Sequence, residues 1–263
     1  NASELDKDYV AAINWKKAEE YVAAGKGKLV PAKYAHNKFD DSKQFATHTM
    51  KDEILVLDPA ELPGIVYFLP SAKSPHGCDV DPTGEYIVIN GKLSSNLVVH
   101  SFTKMVEAID NEDFIGEAYG IPIVNYDSIL AGVVEQPGIG PLHTEFDDKG
   151  NAYTTFFISS EVVKWKPGTW EILDRIDAYY SPGHLSIPGG NSRKPDGKYL
   201  LSMNKITKDR YLPVGPEMNQ PGQLFDISGD KMELLIDFPM IGEPHYASMI
   251  HRDKVAPNTI EIY

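Results

Sequence analysis

The chain has 263 residues, 42% of them hydrophobic, enough to bury a substantial core and too apolar for wholesale disorder. Its 25 Lys and Arg against 38 Asp and Glu leave a net charge of −13, which argues against an electrostatic grip on nucleic-acid phosphates. The 21 Gly and 19 Pro punctuate the sequence too often for a helical bundle and suit many short strands joined by turns, so an all-β fold is expected.

In chain order, the start at Asn1-Ala2-Ser3, without Met or an apolar leader, suggests a processed chain or an internal piece. Asn14 is placed to cap a short helix with Trp15, Ala18 and Val22 at helical spacing, and Gly25 to stop it. Short β-rich runs follow at 53–57, 64–68, 86–89, 96–100, 152–157, 161–165, 199–203 and 223–227, separated by turn clusters such as Asp81-Pro-Thr-Gly84 and Lys194-Pro-Asp-Gly197. Only 103–111 interrupts them with a second helical pattern. The longest apolar stretches, such as Ile65 to Leu69, are far short of a membrane span, so a transmembrane protein is not expected. The single Cys78 cannot form an intrachain disulfide, and packing is its expected role. Asp79 and Asp81 flank a turn and are expected to serve it, with calcium as the alternative.

Three segments share an order: a His after a Gly or Pro turn, an Asp- and Gly-containing hairpin turn, then Tyr leading an apolar strand. They contain His76 with Gly84 and Tyr86, His143 with Gly150 and Tyr153, and His184 with Gly197 and Tyr199; His245 repeats the opening alone. The intervals of 67, 41 and 61 residues bracket a four-stranded propeller blade with variable insertions. An all-β β-propeller of about four blades is the reading, with jelly rolls and sandwiches as competitors of equal strand density. In a propeller the inner strands surround one axis, so histidines in equivalent places converge there. An all-imidazole set favours copper, zinc, iron or nickel over calcium. His36, His48, His100 and His251 lack this phase. No nucleophile elbow, phosphate-cradling Gly loop or His-Glu-x-x-His helix is present.

Ser74-Pro-His-Gly-Cys-Asp-Val80, Gly140-Pro-Leu-His-Thr-Glu-Phe-Asp147, Met203-Asn-Lys205 with Lys208-Asp-Arg-Tyr-Leu-Pro-Val-Gly-Pro216, Asp226-Ile-Ser-Gly-Asp230 and Glu243-Pro-His-Tyr246 resemble, in order, the catalytic β-propeller domain of nitrous-oxide reductases. The resemblance implies that residues 1–263 are part of one seven-bladed propeller, with upstream blades and a downstream cupredoxin domain absent from this chain. It implies reduction of N₂O to N₂ and water at a tetranuclear copper-sulfide centre held by seven histidines, four of them His76, His143, His184 and His245. The other three, and a dinuclear copper for electron entry, belong to the absent parts. Lys205 resembles a lysine near the cluster that stabilises charge or passes a proton, and Glu243 a carboxylate that orients a ligand imidazole. Calcium is implied at Asp8, Ser74 and the backbone near Lys205 and Gln220, although the family often has Asn where this chain has Ser74. The resemblance further implies a periplasmic homodimer served by an electron-donor protein such as a cytochrome c or a cupredoxin. Two rivals are a non-catalytic propeller scaffold and a calcium-dependent propeller hydrolase. The second needs carboxylates and Asn on the axis where this repeat places His.

Overall fold

The computed structural model describes residues 8–31, 53–206, 220–240 and 242–255; His36, His48 and the Lys208–Pro216 motif lie outside the described residues. The described residues divide into two compact units, a smaller one from 11–69 and 114–123 and a larger one from the rest.

The first elements are β1 (Tyr9–Ile13), α1 (Trp15–Ala23), β2 (Lys28–Pro31), β3 (Glu53–Val56) and β4 (Val66–Pro70). Asn14 caps α1 by accepting from Lys17 N at 3.1 Å, and Gly25 beyond its end has φ +68, as the sequence anticipates. No residue of α1 is buried, and the apolar side chains of β3 are exposed.

In the larger unit β5 (Pro75–Val80), β6 (Tyr86–Gly91) and β7 (Leu97–Ser101) form a meander. The chain then runs through α2 (Phe102–Asp110), whose N-terminus is capped by Ser101 accepting from Lys104 N at 3.0 Å. Next come β8 (Phe114–Ala118) and β9 (Ile121–Val124), which complete the smaller unit's sheet in the order β1-β4-β9-β8, with β4 and β9 parallel. After α3 (Tyr126–Ile129), β10 (Leu130–Val134) closes the first sheet of the larger unit in the order β10-β7-β6-β5. The second sheet is β11 (Pro141–Phe146), β12 (Ala152–Phe156), β13 (Glu161–Trp165) and β14 (Ile172–Asp177). The third is β15 (Pro182–Ser186), β16 (Tyr199–Asn204), β17 (Pro221–Asp226) and β18 (Glu233–Pro239), and a short α4 (Arg252–Val255) follows.

The three sheets of the larger unit are four-stranded and antiparallel, as propeller blades are, and they pack face to face through two apolar layers. Val88, Leu97, Val99 and Val134 of the first meet Phe146, Phe156, Val163 and Trp165 of the second. Tyr153 and Val162 of the second meet Leu185, Leu200 and Phe225 of the third. Strands buried on both faces read as continuous apolar runs, which is why β7 and β13 were legible. The sequence missed β5, β11 and β15, whose Pro-His openings read as turns. The structure corrects this: Pro75, Pro141 and Pro182 each occupy the first position of a strand at the end of its sheet, where no ladder donor is needed.

The expectation for the acidic pair divides. Asp81 serves its turn, accepting from Thr83 N, Thr83 Oγ1 and Tyr86 N at 3.2, 2.7 and 2.8 Å, and Asp147 does the same for the next hairpin. Asp79 instead reaches into the neighbouring sheet and accepts from Thr144 N at 2.7 Å, with Asn90 Nδ2 at 2.9 Å. Glu145 likewise crosses to the third sheet and accepts from Ile187 N. Cys78 is corrected too: it is a free, exposed thiol rather than a packed one.

Two outcomes follow from these contacts. A Cβ on Gly77 would lie 2.2 Å from the Leu142 carbonyl oxygen, so β5 and β11 approach too closely for any side chain there. Gly77→Ala should destabilise the fold by about 1–3 kcal/mol in denaturant unfolding. Burial raises the Asp79 carboxyl from 3.8 to about 7 against the lowering effect of its two donors. Between those values the unfolded chain has released a proton that the native state keeps, so this group's stabilisation is present below about pH 4 and lost as pH rises to 7. Asp79→Asn, which keeps an acceptor oxygen, should melt higher relative to wild type at pH 8 than at pH 4; a constant difference across this range would contradict the shift.

Candidate metal centre

Strand pairing places His76, His143 and His184 at irregularities of the three inner strands. In β5, Pro75 pairs with Gly91 and Gly77 with Asn90, leaving His76 unpaired between them. In β11, Leu142 and His143 together face one residue of β12, and in β15 Gly183 and His184 together face one residue of β16. These are β-bulges, which bend a strand and re-aim a side chain that regular alternation would point elsewhere. His245 follows β18 in an irregular segment anchored by the buried Pro244.

The four rings come together. His184 is the hub: its ring centroid lies 3.7 Å from that of His143, 4.8 Å from His245 and 6.4 Å from His76, and His76 and His143 are 4.9 Å apart. Tyr246 stands edge-on to His184 at 5.3 Å. The His143 and His184 planes are nearly parallel, at 22°, so these two rings stack and their nitrogens do not face a common point. Among the described residues no three His, Cys, Asp or Glu side chains are arranged around a single ion.

The surroundings of three of the rings disfavour their charged form. Burial, then the neighbouring His184, depresses His143 to about 3; burial, then His245 and Lys205, depresses His184 to about 4; burial and the Lys92 charge lower His76. Neutral imidazoles offer lone pairs to a metal. His143 Nε2 is buried with no hydrogen-bond partner, so a nitrogen able to ligate is held out of water. An orphaned nitrogen within an all-imidazole group fits a copper-type donor set.

Lys205 runs beside this cluster. Its Nζ donates to the Pro244 carbonyl, lies 3.2 Å from His245 Nδ1 and 3.8 Å from Glu243 Oε1, and desolvation lowers its pKa. Its stem covers Gly183, where a Cβ would meet Lys205 Cε at 2.5 Å. Glu243, expected against the His245 ring, is placed against Lys205 instead, because Lys205 occupies the Nδ1 side of that ring. Of the expected calcium contacts, Asp8 and Ser74 are joined: Asp8 Oδ2 accepts from Ser74 N at 2.7 Å. Ser74 is buried with φ 57, a conformation in which Asn is more at ease than Ser. Gln220 immediately precedes β17, and its carbonyl accepts from Met240 N. A separate cavity of about 310 Å³ beyond the opposite ends of β5 and β11 has Asp81 and Asp147 in its wall, both engaged by their turns.

Sequence reasoning missed the bulges and the side chains that reach across to them. The signal available was the Pro one or two residues before each of His76, His143 and His184, since proline within a sheet marks an end strand or a bulge.

Residues 175–245 match the family described as nitrous oxide reductase propeller repeat. The chain is similar to the nitrous-oxide reductase of Stutzerimonas stutzeri, with 37% identity over 203 residues, covering 73% of this chain and 30% of that protein. It is similar to that of Ralstonia nicotianae, with 37% identity over 199 residues and 72% and 29% coverage, and to that of Pseudomonas fluorescens, with 35% over 205 residues and 73% and 30%. The chain therefore spans about 30% of the length of the curated relatives it matches. Bladed sheets, histidines on the inner strands and sequence identity over most of the chain agree that it is a part-length relative of the nitrous-oxide reductases, matched through their propeller.

Proposed function

We propose that this chain contributes part of the catalytic propeller of an enzyme that reduces N₂O with two protons and two electrons to N₂ and water. The observation that carries the reading is the meeting of four histidines from three inner-strand bulges and one following segment. In the proposal His76, His143, His184 and His245 would supply four of the seven histidine ligands of a tetranuclear copper-sulfide centre. The bridging sulfide and three more imidazoles come from outside these residues. When bound, such a centre supplies the two electrons to a small, kinetically inert molecule.

The chain's own residues have separate tasks. The depressed pKa values of His143 and His184 leave one nitrogen of each ring unprotonated at neutral pH and below, so a second proton does not compete with metal there. Stacking against His184 and the edge contact with His76 fix the His143 plane. Lys205 brings a positive charge and a transferable proton to the His245 side of the group, and Glu243 lies beside that ammonium. Asp8, with Ser74, is the anionic contact for a structural calcium. Among the described residues no helix is long and apolar enough to cross a membrane. A periplasmic homodimer fed by a cytochrome c or a cupredoxin completes the proposal.

Elemental analysis of the anaerobically isolated full-length protein should find copper with acid-labile sulfide, and His143→Ala should lose copper; calcium alone, or no metal, would reject the reading in favour of a hydrolase or a scaffold. Lys205→Met, which keeps the stem and removes the charge, should lower N₂O turnover by roughly 10²-fold. Unchanged turnover would contradict the role given to Lys205.

A further inference from the structure

The peptide next to each of three clustered histidines is gripped by a side chain from the sheet before it. Asp79 on β5 accepts from Thr144 N, adjacent to His143, at 2.7 Å. Thr155 on β12 donates its hydroxyl to the Gly183 carbonyl, adjacent to His184, at 2.6 Å. Lys205, just beyond β16, donates to the Pro244 carbonyl, adjacent to His245. For His143 and His184 the coincidence has a physical cause. A bulge interrupts the ladder, so main-chain groups beside the extra residue lack their usual cross-strand partners. Thr155 is completely buried, so water cannot take its place. Thr144 is secured further, its hydroxyl bonding Thr154 Oγ1 at 2.7 Å and Asn90 Oδ1 at 3.2 Å, while Trp165 Nε1 donates to Thr154 at 2.9 Å.

We propose that Asp79 and Thr155 are positioning residues for the imidazole cluster: each fixes, from the preceding blade, the bulge that aims the next blade's histidine. The proposal rests on the metal-site reading for its purpose, and on the hydrogen bonds for its geometry. Packing of successive blades and aiming of successive histidines are then one property, because the contact that registers β5 against β11 also sets His143. Groups that hold ligands in place from behind commonly change metal affinity 10–100-fold when removed.

The test uses the full-length protein with Asp79→Ala and Thr155→Val, each paired with a conservative variant that keeps the bonding atom, Asp79→Asn and Thr155→Ser. Crystal structures of the metal-free variants should show the His143 ring displaced by about 1 Å or more in Asp79→Ala and the His184 ring similarly displaced in Thr155→Val, with both restored in the conservative variants. Copper(I) titration should show affinity falling about 10–100-fold in the first pair and close to wild type in the second. Rings that stay in place overturn the positioning role, whatever the copper result. Rings that move in a protein whose wild type takes up no copper leave the positioning role standing and remove the metal reading. Should Thr155→Val fail to fold, Asp79→Ala decides the matter by the same ring displacement.

Discussion

The structure of the site depends on one main-chain device, an extra residue in the first strand of a blade. A regular strand sends alternate side chains to opposite faces, and β11 and β15 each place one, Phe146 and Leu185, in an apolar layer between sheets. A histidine in regular register would enter such a layer or point to solvent. Bulging turns it out of the alternation toward the place where the inner strands meet. The cost is an interrupted ladder, offset by bonds that arrive from the neighbouring sheet.

Close approach makes this possible. Gly77 lies so near the Leu142 carbonyl that a side chain there would push β5 and β11 apart, and a side chain at Gly183 would displace the Lys205 stem that lies over it. Two carboxylates, Asp79 and Glu145, then bridge consecutive sheets at main-chain donors, both in surroundings dry enough to raise their pKa values, to about 7 and about 8. The same dryness depresses the histidines. Acid and base shift in opposite directions for one reason, because burial disfavours whichever form carries charge. The interior consequently holds neutral imidazoles, the state in which they can bind a metal.

Much of this was legible in the sequence through a single regularity. Four histidines recurring in phase with turn and strand signals indicated a repeating blade and a shared axis, and the rings do meet. The apolar runs of β6, β7, β12, β13 and β16 were readable because strands buried on both faces leave continuous hydrophobic text. The inner strands were not, since Pro, Gly and His at their openings carry the composition of turns. Asp79 was misread for a related reason: it is two residues from Asp81, which does serve a turn, and nothing in local sequence distinguishes an acid that bonds its own hairpin from one that bonds the next sheet. Glu243 and Lys205 were assigned to the right neighbourhood, but their order around His245 depends on side-chain paths that only the fold reveals.

The central claim is that the four histidines form one shared metal site. Anomalous diffraction at the copper absorption edge from crystals of the anaerobically prepared full-length protein tests it most directly. The account predicts anomalous peaks about 2 Å, the usual metal–nitrogen distance, from ring nitrogens of His76, His143, His184 and His245 within a single cluster. Copper bound away from these rings, or at only one of them, would contradict it.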